Sequence, residues 1–482
     1  MLIESKQGVP LFFILANVIF YGTFYLSVYL GIWAIGILGA VLAAYYLTRI
    51  KYKLAYVIIT MIMAFCFQNL VIGVWGRLGG ETVGLSIMTQ IPFVFLISAY
   101  LFLLMQSRLK FNQTYIVMLF LSLAILFSAF KSGSLNDVLV QVRNMITFFL
   151  AFELFTSCGQ EKANFDTFSR LFILLGVVML VAGVILLLGG FELYSQLGIA
   201  NVYAAKGNVG EGLTGLPGRF STDIFNVHMI RMGGLYYEPV TLSYFFSAQT
   251  IGAAILPWTR NQLWRVSMVA IMGIALLLTG GKGGMLIAAA VLFAIMMMRL
   301  LGNNISSGKI WGTILITISV FAVFSRFYSE NYAGPAAAHF TTIQNTWQTI
   351  LSNPLGYGIG RGGFNTLGDT SFDTGAESAL MSIGYQMGIQ GMIVLGLVFY
   401  SITRRLIDWA SMKQQLNHPY FSVVVLLPLI LFGTALFQLN TFTPQAIVPF
   451  AAIMAGGFGL QQTTVKCSEC ELRKTVDESV SG

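Results

Sequence analysis

An arginine and a glutamate bracket a short glycine–tyrosine run, Arg231-Met-Gly-Gly-Leu-Tyr-Tyr-Glu238, which ends at Pro239. Arginine presents a planar fork of donors suited to phosphate oxygens. Proline fits the first turn of a helix, where its missing N–H costs nothing. Glu238 then falls at a helix N-terminus, where the dipole favours a carboxylate. Gly233 and Gly234 permit close backbone approach to a ligand. Arg231 is therefore a candidate for anion binding and catalysis, Glu238 for orienting or deprotonating a hydroxyl, and Gly234 and Tyr237 for substrate contact. In the bland alternative, Arg231 and Glu238 only pair and cap the helix.

Two further segments have the same character. Thr279-Gly-Gly-Lys282-Gly-Gly284 is a tight turn that offers a cation and bare backbone N–H groups to an anion. It is not a nucleotide-binding P-loop, because the spacing differs and no Ser or Thr follows the lysine. Asn353-Pro-Leu-Gly-Tyr-Gly-Ile-Gly360-Arg361 presents an arginine on what reads as a flexible loop, with Asp369, Asp373 and Glu377-Ser378 beyond it. Lys282 and Arg361 join Arg231 as candidate diphosphate ligands. Glu377 is second to Glu238 as a base and His339 third. Arg143, within a predicted span, is placed to reach the same cavity or to pair with Asp137. Neither His228 nor His339 has metal-ligand spacing, and no acidic cluster suits a divalent ion, so no metal and no cofactor is expected.

The elements that must position these groups are membrane helices. The chain has 482 residues, 56% apolar and 10% charged, with a mean hydropathy of +0.78. Soluble chains carry about 25% charged residues. The apolar residues fall in blocks of about 20, each enough to cross a bilayer as a helix. The fold class is therefore all-α and polytopic. Fourteen spans are expected, at about 10–28, 30–48, 54–75, 85–106, 114–130, 139–157, 171–189, 239–258, 264–280, 283–301, 310–326, 378–402, 419–438 and 443–460. The first apolar run is too long for a cleaved signal. Residues 1–461 form one membrane domain, and 462–482 an unstructured tail that includes Cys467 and Cys470. The formal charge of +8 is spread over many short loops, which excludes a nucleic-acid partner.

Every basic cluster follows an even-numbered span, among them Arg49-Lys51-Lys53, Arg108-Lys110 and Arg404-Arg405-Lys413. The positive-inside rule then makes both termini cytoplasmic. Two long loops, about 190–238 and 327–377, lie outside and hold the candidate residues. Basic side chains placed against that rule imply an anionic ligand.

The order of these pieces resembles the O-antigen polymerase and ligase superfamily, the Wzy-type and WaaL-type membrane glycosyltransferases. Arg231-x-x-Gly234-x-x-x-Glu238-Pro239 resembles the Arg-x-x-Gly…Glu-Pro signature of exopolysaccharide polymerases. Leu278-Thr-Gly-Gly-Lys282-Gly-Gly resembles the superfamily's Thr-x-Ser-Arg-Gly turn, with Lys for Arg. Asn353-Pro-Leu-Gly-Tyr-Gly-Ile-Gly, Glu377-Ser378 and Gly388-Ile-Gln-Gly391 resemble the segment around the last large outer loop. The match is detailed over about 230–395 and rests on hydropathy before that. Ligases carry a His-Asn pair where this chain has Glu377-Ser378, which favours a polymerase.

The resemblance implies a GT-C-like architecture in a bacterial inner membrane. It implies undecaprenyl-pyrophosphate-linked oligosaccharides as donor and acceptor, and an inverting, metal-independent transfer at the periplasmic face. A chain-length regulator and a flippase would be accessory partners. A ligase is the nearest alternative. A flippase is the alternative from another class, disfavoured because the two halves show no internal repeat.

Overall fold

The computed structural model describes residues 17, 20–23, 26, 33–49, 54–78, 89–106, 113–131, 135–158, 162–206, 208, 210–224, 227–300, 335–360, 378–411, 419–435 and 438–455. The apolar blocks form helices, as backbone groups without water must pair within their own segment. In chain order these are α1 (Trp33–Arg49), α2 (Leu54–Arg77), α3 (Ile91–Met105), α4 (Gln113–Ala129), α5 (Leu135–Cys158), α6 (Lys162–Gln196), α7 (Ile199–Ala205), α8 (Pro239–Ile255), α9 (Gln262–Thr279), α10 (Lys282–Leu300), α11 (Pro335–Ser352), α12 (Ala379–Ser411) and α13 (Pro419–Ala435), then α14 (Pro444–Ala455). Stretches of α2, α5, α6, α9 and α12 are long and apolar enough to cross a membrane; α1, α3, α4, α10, α13 and α14 carry shorter apolar stretches. The chain is thus a helical membrane protein. The expected span at 310–326 lies outside the described residues, as does most of that at 10–28.

Two features depart from the expected all-α scaffold with open outer loops. The loop expected from 190 is built: α6 continues to Gln196 beyond a break at Gly190 (φ 57°), α7 follows, and strands β1 (Ser221–Ile224) and β2 (Val227–Ile230) pair as an antiparallel hairpin. Helix α11 likewise occupies part of the loop expected at 327–377.

Helix α8 is the hub. Every residue in it except Val240 and Ala254 is buried, although it carries Thr241, Ser243, Ser247, Gln249 and Thr250. Glycines let α10 approach it: a Cβ at Gly281 or Gly284 would overlap Ser243, and one at Gly283 would lie 2.6 Å from the Tyr244 hydroxyl. Small residues at such contacts are how helices pack closely in lipid. The Tyr244 and Thr441 hydroxyls share a hydrogen bond at 3.0 Å, tying α8 to the turn before α14.

Helix α12 breaks at Gly388 (φ 75°), and the break is filled by the chain itself. The peptide N–H groups of Tyr357 and Gly358 donate to the carbonyls of Tyr385 and Gln386, both at 2.9 Å, and that of Ile389 donates to Pro354 O at 3.0 Å. The Tyr357 and Tyr385 rings stack at 4.6 Å. The segment expected to be a flexible glycine loop is therefore, through Gly360, a docked strap with Gly356, Gly358 and Gly360 all at positive φ. At the other end of the bundle, the Arg405 guanidinium of α12 pairs with the buried Glu153 of α5 at 2.5 Å.

Candidate functional site

The hairpin assembles the site. Its register sets Ser221 opposite Ile230, and one step outward the Arg231 N–H donates to Phe220 O at 2.7 Å. Arg219 and Arg231 thus stand at the two feet of one hairpin. Arg231 Nη1 donates to the Arg219 carbonyl at 3.0 Å and Nε to the Thr279 carbonyl at 2.9 Å. The next residue repeats the attachment, with the Met232 N–H on Leu278 O at 2.8 Å. The Thr279–Gly284 turn is thereby fastened to the hairpin, and Gly280 (φ 59°) leaves room for the Arg231 stem 3.1 Å from where a Cβ would be. Two charge-assisted bonds of this kind contribute about 1.5–3 kcal/mol each.

Pro239 opens α8 and Glu238 is its N-cap residue, as expected, but the Glu238 side chain caps nothing. Its Oε1 accepts from Arg219 Nη1 at 3.2 Å and its Oε2 from the Thr241 hydroxyl at 3.0 Å. The direct ion-pair partner is thus Arg219 rather than Arg231. The pair is unevenly wet, with side chains 31% and 11% exposed, so solvent screens it and its net contribution is about 1 kcal/mol. Arg231 feels the Glu238 charge without touching it. Burial, the larger effect, holds its guanidinium below the ordinary arginine range while Glu238 and Tyr203 pull it back.

Lys206 completes the cluster. It ends α7 and is half-buried. Burial lowers its ammonium from the ordinary lysine value, Glu238 raises it, and Arg219 and Arg143 lower it again. These groups therefore share one electrostatic neighbourhood. Arg143 reaches it from α5, and its described partners are neutral: Nη1 donates to Thr89 O at 3.2 Å and Gln90 Oε1 at 3.1 Å, and Nε and Nη2 to Asn144 Oδ1 at 3.4 Å. The Asp137 side chain lies outside the described residues.

Tyrosines frame the cluster. The Tyr203 hydroxyl donates to Tyr237 O and the Tyr237 hydroxyl to Leu197 O, both at 3.0 Å. Burial raises both phenols above the usual tyrosine value. Tyr237 is itself left-handed (φ 51°) and wholly buried, and Gly234 (φ 51°) sits beneath Leu242, so both hold the turn's shape. In the same turn the Asn69 amide of α2 donates to Tyr236 O.

The other sequence candidates are distributed differently. Lys282 begins α10 and is exposed, three residues along the chain from Thr279, whose carbonyl Arg231 holds. Arg361 and Glu377 lie outside the described residues. Their neighbours are fixed, however: the Gly360 N–H donates to Gln386 Oε1 at 3.1 Å, and the Ser378 hydroxyl accepts from the Met381 N–H at 3.2 Å as the cap of α12. His339 lies on α11, its side chain outside the described part. Sequence reasoning missed Arg219 and Lys206. The available signal for Arg219 was Ser221-Thr-Asp-Ile and Val227-His-Met-Ile, two short runs two residues apart, the spacing of a hairpin. No local pattern marks Lys206.

Among the described residues, no group of three or more His, Cys, Asp or Glu side chains is placed to hold a metal. No protein-family model matches the chain, and no curated protein matches its sequence.

Proposed function

We propose that this chain is a membrane glycosyltransferase resembling the O-antigen polymerases, which joins lipid-linked oligosaccharide units at the outer face of a bacterial inner membrane. The donor in this reading is an oligosaccharide on undecaprenyl pyrophosphate, and the acceptor is the terminal sugar of a second such unit. One observation carries it: Lys206, Arg219 and Arg231 gather about Glu238 where the hairpin meets the N-terminus of α8, with Arg143 alongside. A diphosphate gains a negative charge as the anomeric C–O bond breaks. Fixed cations in a half-buried site stabilise that charge more in the transition state than in the ground state. Removing one such donor costs about 10²–10³ in rate.

A GT-C-like arrangement of fourteen spans with both termini cytoplasmic belongs to the same proposal. It is supported by the alternation of basic clusters along the chain. In-line attack of the acceptor hydroxyl inverts the anomeric centre.

The test is complementation of a strain lacking the chain, read as the glycan ladder and the leaflet of the lipid-linked units. Arg231→Ala and Arg219→Ala should each leave single units on their carrier in the outer leaflet. A normal ladder from Arg231→Ala refutes the proposal. Units trapped in the inner leaflet would identify a flippase, and full-length glycan left on its carrier would identify a ligase.

A further inference from the structure

We propose that helix α11 is an interfacial helix: it rests on the bilayer at the boundary between headgroups and acyl chains, with Trp347 and Leu351 seated in lipid. This seat is independent of the glycosyl-transfer chemistry proposed above.

The helix has three sectors. Ile343, Thr346 and Ile350 turn inward, the two isoleucines against α12. Trp347 (39% exposed) and Leu351 (51%) each follow one position behind Thr346 and Ile350, so an exposed apolar stripe flanks the packed face. Gln344, Asn345 and Gln348 are exposed on the far side. A packed face, an apolar flank and a polar back suit a helix lying in the membrane surface, neither crossing it nor standing in water.

The neighbours of α11 fix its depth. Helix α4 ends its apolar run with exposed Phe127 and Phe130, followed by Lys131, the aromatic and cationic edge of a span. The strap is fastened at that edge: Lys131 Nζ donates to Gly356 O at 3.2 Å, and the Ile359 N–H to Ser128 O at 3.3 Å. Only Asn353, Pro354 and Leu355 separate Gly356 from the end of α11, a reach of about 14 Å at most. Ile343 and Ile350 also share one cluster with Tyr385, before the Gly388 break, and with Ile389 and Met392 after it. Helix α11 thus packs at the level where α12 enters its exposed apolar run. The stripe itself continues there. Gln390 Nε2 donates to the carbonyl of the exposed Leu355 at 3.5 Å, and Ile393 and Leu397 are exposed on the following turns of the same face. Exposed apolar surface on a span faces lipid, so lipid meets the stripe where the two join.

The chemistry of the contact follows from composition. Pro335–Ser352 contains no Asp, Glu, Lys or Arg. The seat is therefore made by apolar burial and by amide-to-headgroup hydrogen bonds, and it is indifferent to lipid charge. In the glycosyl-transfer reading it holds the strap at the level of a lipid-linked substrate's phosphates.

The full chain in nanodiscs tests this. Trp347→Cys, Leu351→Cys, Gln344→Cys and Gln348→Cys are made singly, together with Cys158→Ser, Cys467→Ser and Cys470→Ser, and the buried Cys66 is kept. A nitroxide at each position is read by its collisions with oxygen, which concentrates among acyl chains, and with a water-soluble nickel chelate. The ratio of oxygen to nickel collisions should be severalfold higher at 347 and 351 than at 344 and 348, in discs of phosphatidylcholine and of phosphatidylglycerol alike. Nickel-dominated collisions at all four positions would place the helix in water and overturn the proposal. Protection from both reagents at 347 and 351 would put protein on the stripe, a second copy or another segment, and overturn it equally. A contrast confined to the anionic discs would refute the charge-indifferent seat. The unsubstituted chain gives a second reading that no folding defect can blur. With diazirine-tagged phosphatidylcholine, photoadducts within 341–352 should fall on Trp347 and Leu351, and adducts confined to the spans would sink the assignment.

Discussion

Alanine at Gly388 and at Gly396 should act on the same helix with opposite signs. Gly388 has φ 75°, and a Cβ there would overlap the Pro354 carbonyl oxygen. The left-handed backbone costs a non-glycine residue about 1–2 kcal/mol. Relieving the overlap means lifting the Asn353–Gly360 strap. That breaks the Tyr357–Tyr385, Gly358–Gln386 and Ile389–Pro354 backbone bonds, each about 1 kcal/mol. The sum is about 4–5 kcal/mol for Gly388→Ala. At Gly396 the backbone is helical and an added methyl would lie 3.6 Å from the Phe432 ring, an ordinary contact. Gly396→Ala should therefore be neutral or stabilising by up to about 1 kcal/mol. Thermal unfolding of the two purified variants in nanodiscs reads the difference directly. Because Gly360 precedes Arg361, Gly388→Ala should also shorten the glycan ladder where Gly396→Ala does not. Equal melting points for the two variants would refute the docked strap.

Other expectations concern charge. Lys282→Arg should preserve the ladder better than Lys282→Ala, and equal losses would point to packing of the glycine turn instead of charge. Lys206 should also imprint the pH dependence of stability. Its folded value is depressed, so it penalises the fold most at low pH, where both states are protonated. The penalty fades as pH rises from the folded value toward that of an ordinary lysine. The melting advantage of Lys206→Met over the parent should shrink accordingly between pH 7 and 10, and a constant gap would contradict the burial of its ammonium. Glu153→Leu alone should cost about 3 kcal/mol by removing the carboxylate that the Arg405 guanidinium pairs with, whereas Glu153→Leu with Arg405→Met should recover most of it; urea unfolding of the single and double variants in detergent decides.

The helices were legible because twenty-residue apolar blocks have one solution in lipid. Pro239 announced the start of α8 and thereby the position of Glu238. The partner of that carboxylate was not legible. Arg231 is nearer along the motif, yet hairpin pairing carries its fork to the Arg219 and Thr279 carbonyls and leaves Glu238 to Arg219. That outcome depends on register, which one local motif does not fix. The break at Gly388 was hidden for a related reason. A lone glycine inside an apolar run reads as tolerated helix, and only the Asn353–Gly360 strap, well upstream in the chain, shows why the helix stops there.

The burial of α8 has a consequence for how the chain is made. A segment with Thr241, Ser243, Ser247, Gln249 and Thr250 is a poor candidate for release into lipid by itself, because translocon partitioning follows side-chain hydrophobicity. Its Gln249 amide, with neither atom hydrogen-bonded among the described residues, sharpens the difficulty. Helices α9 and α10, which cover it, emerge from the ribosome later. During biosynthesis α8 must therefore wait at the translocon, or in a chaperone's keeping, until the following hairpin arrives to shield it.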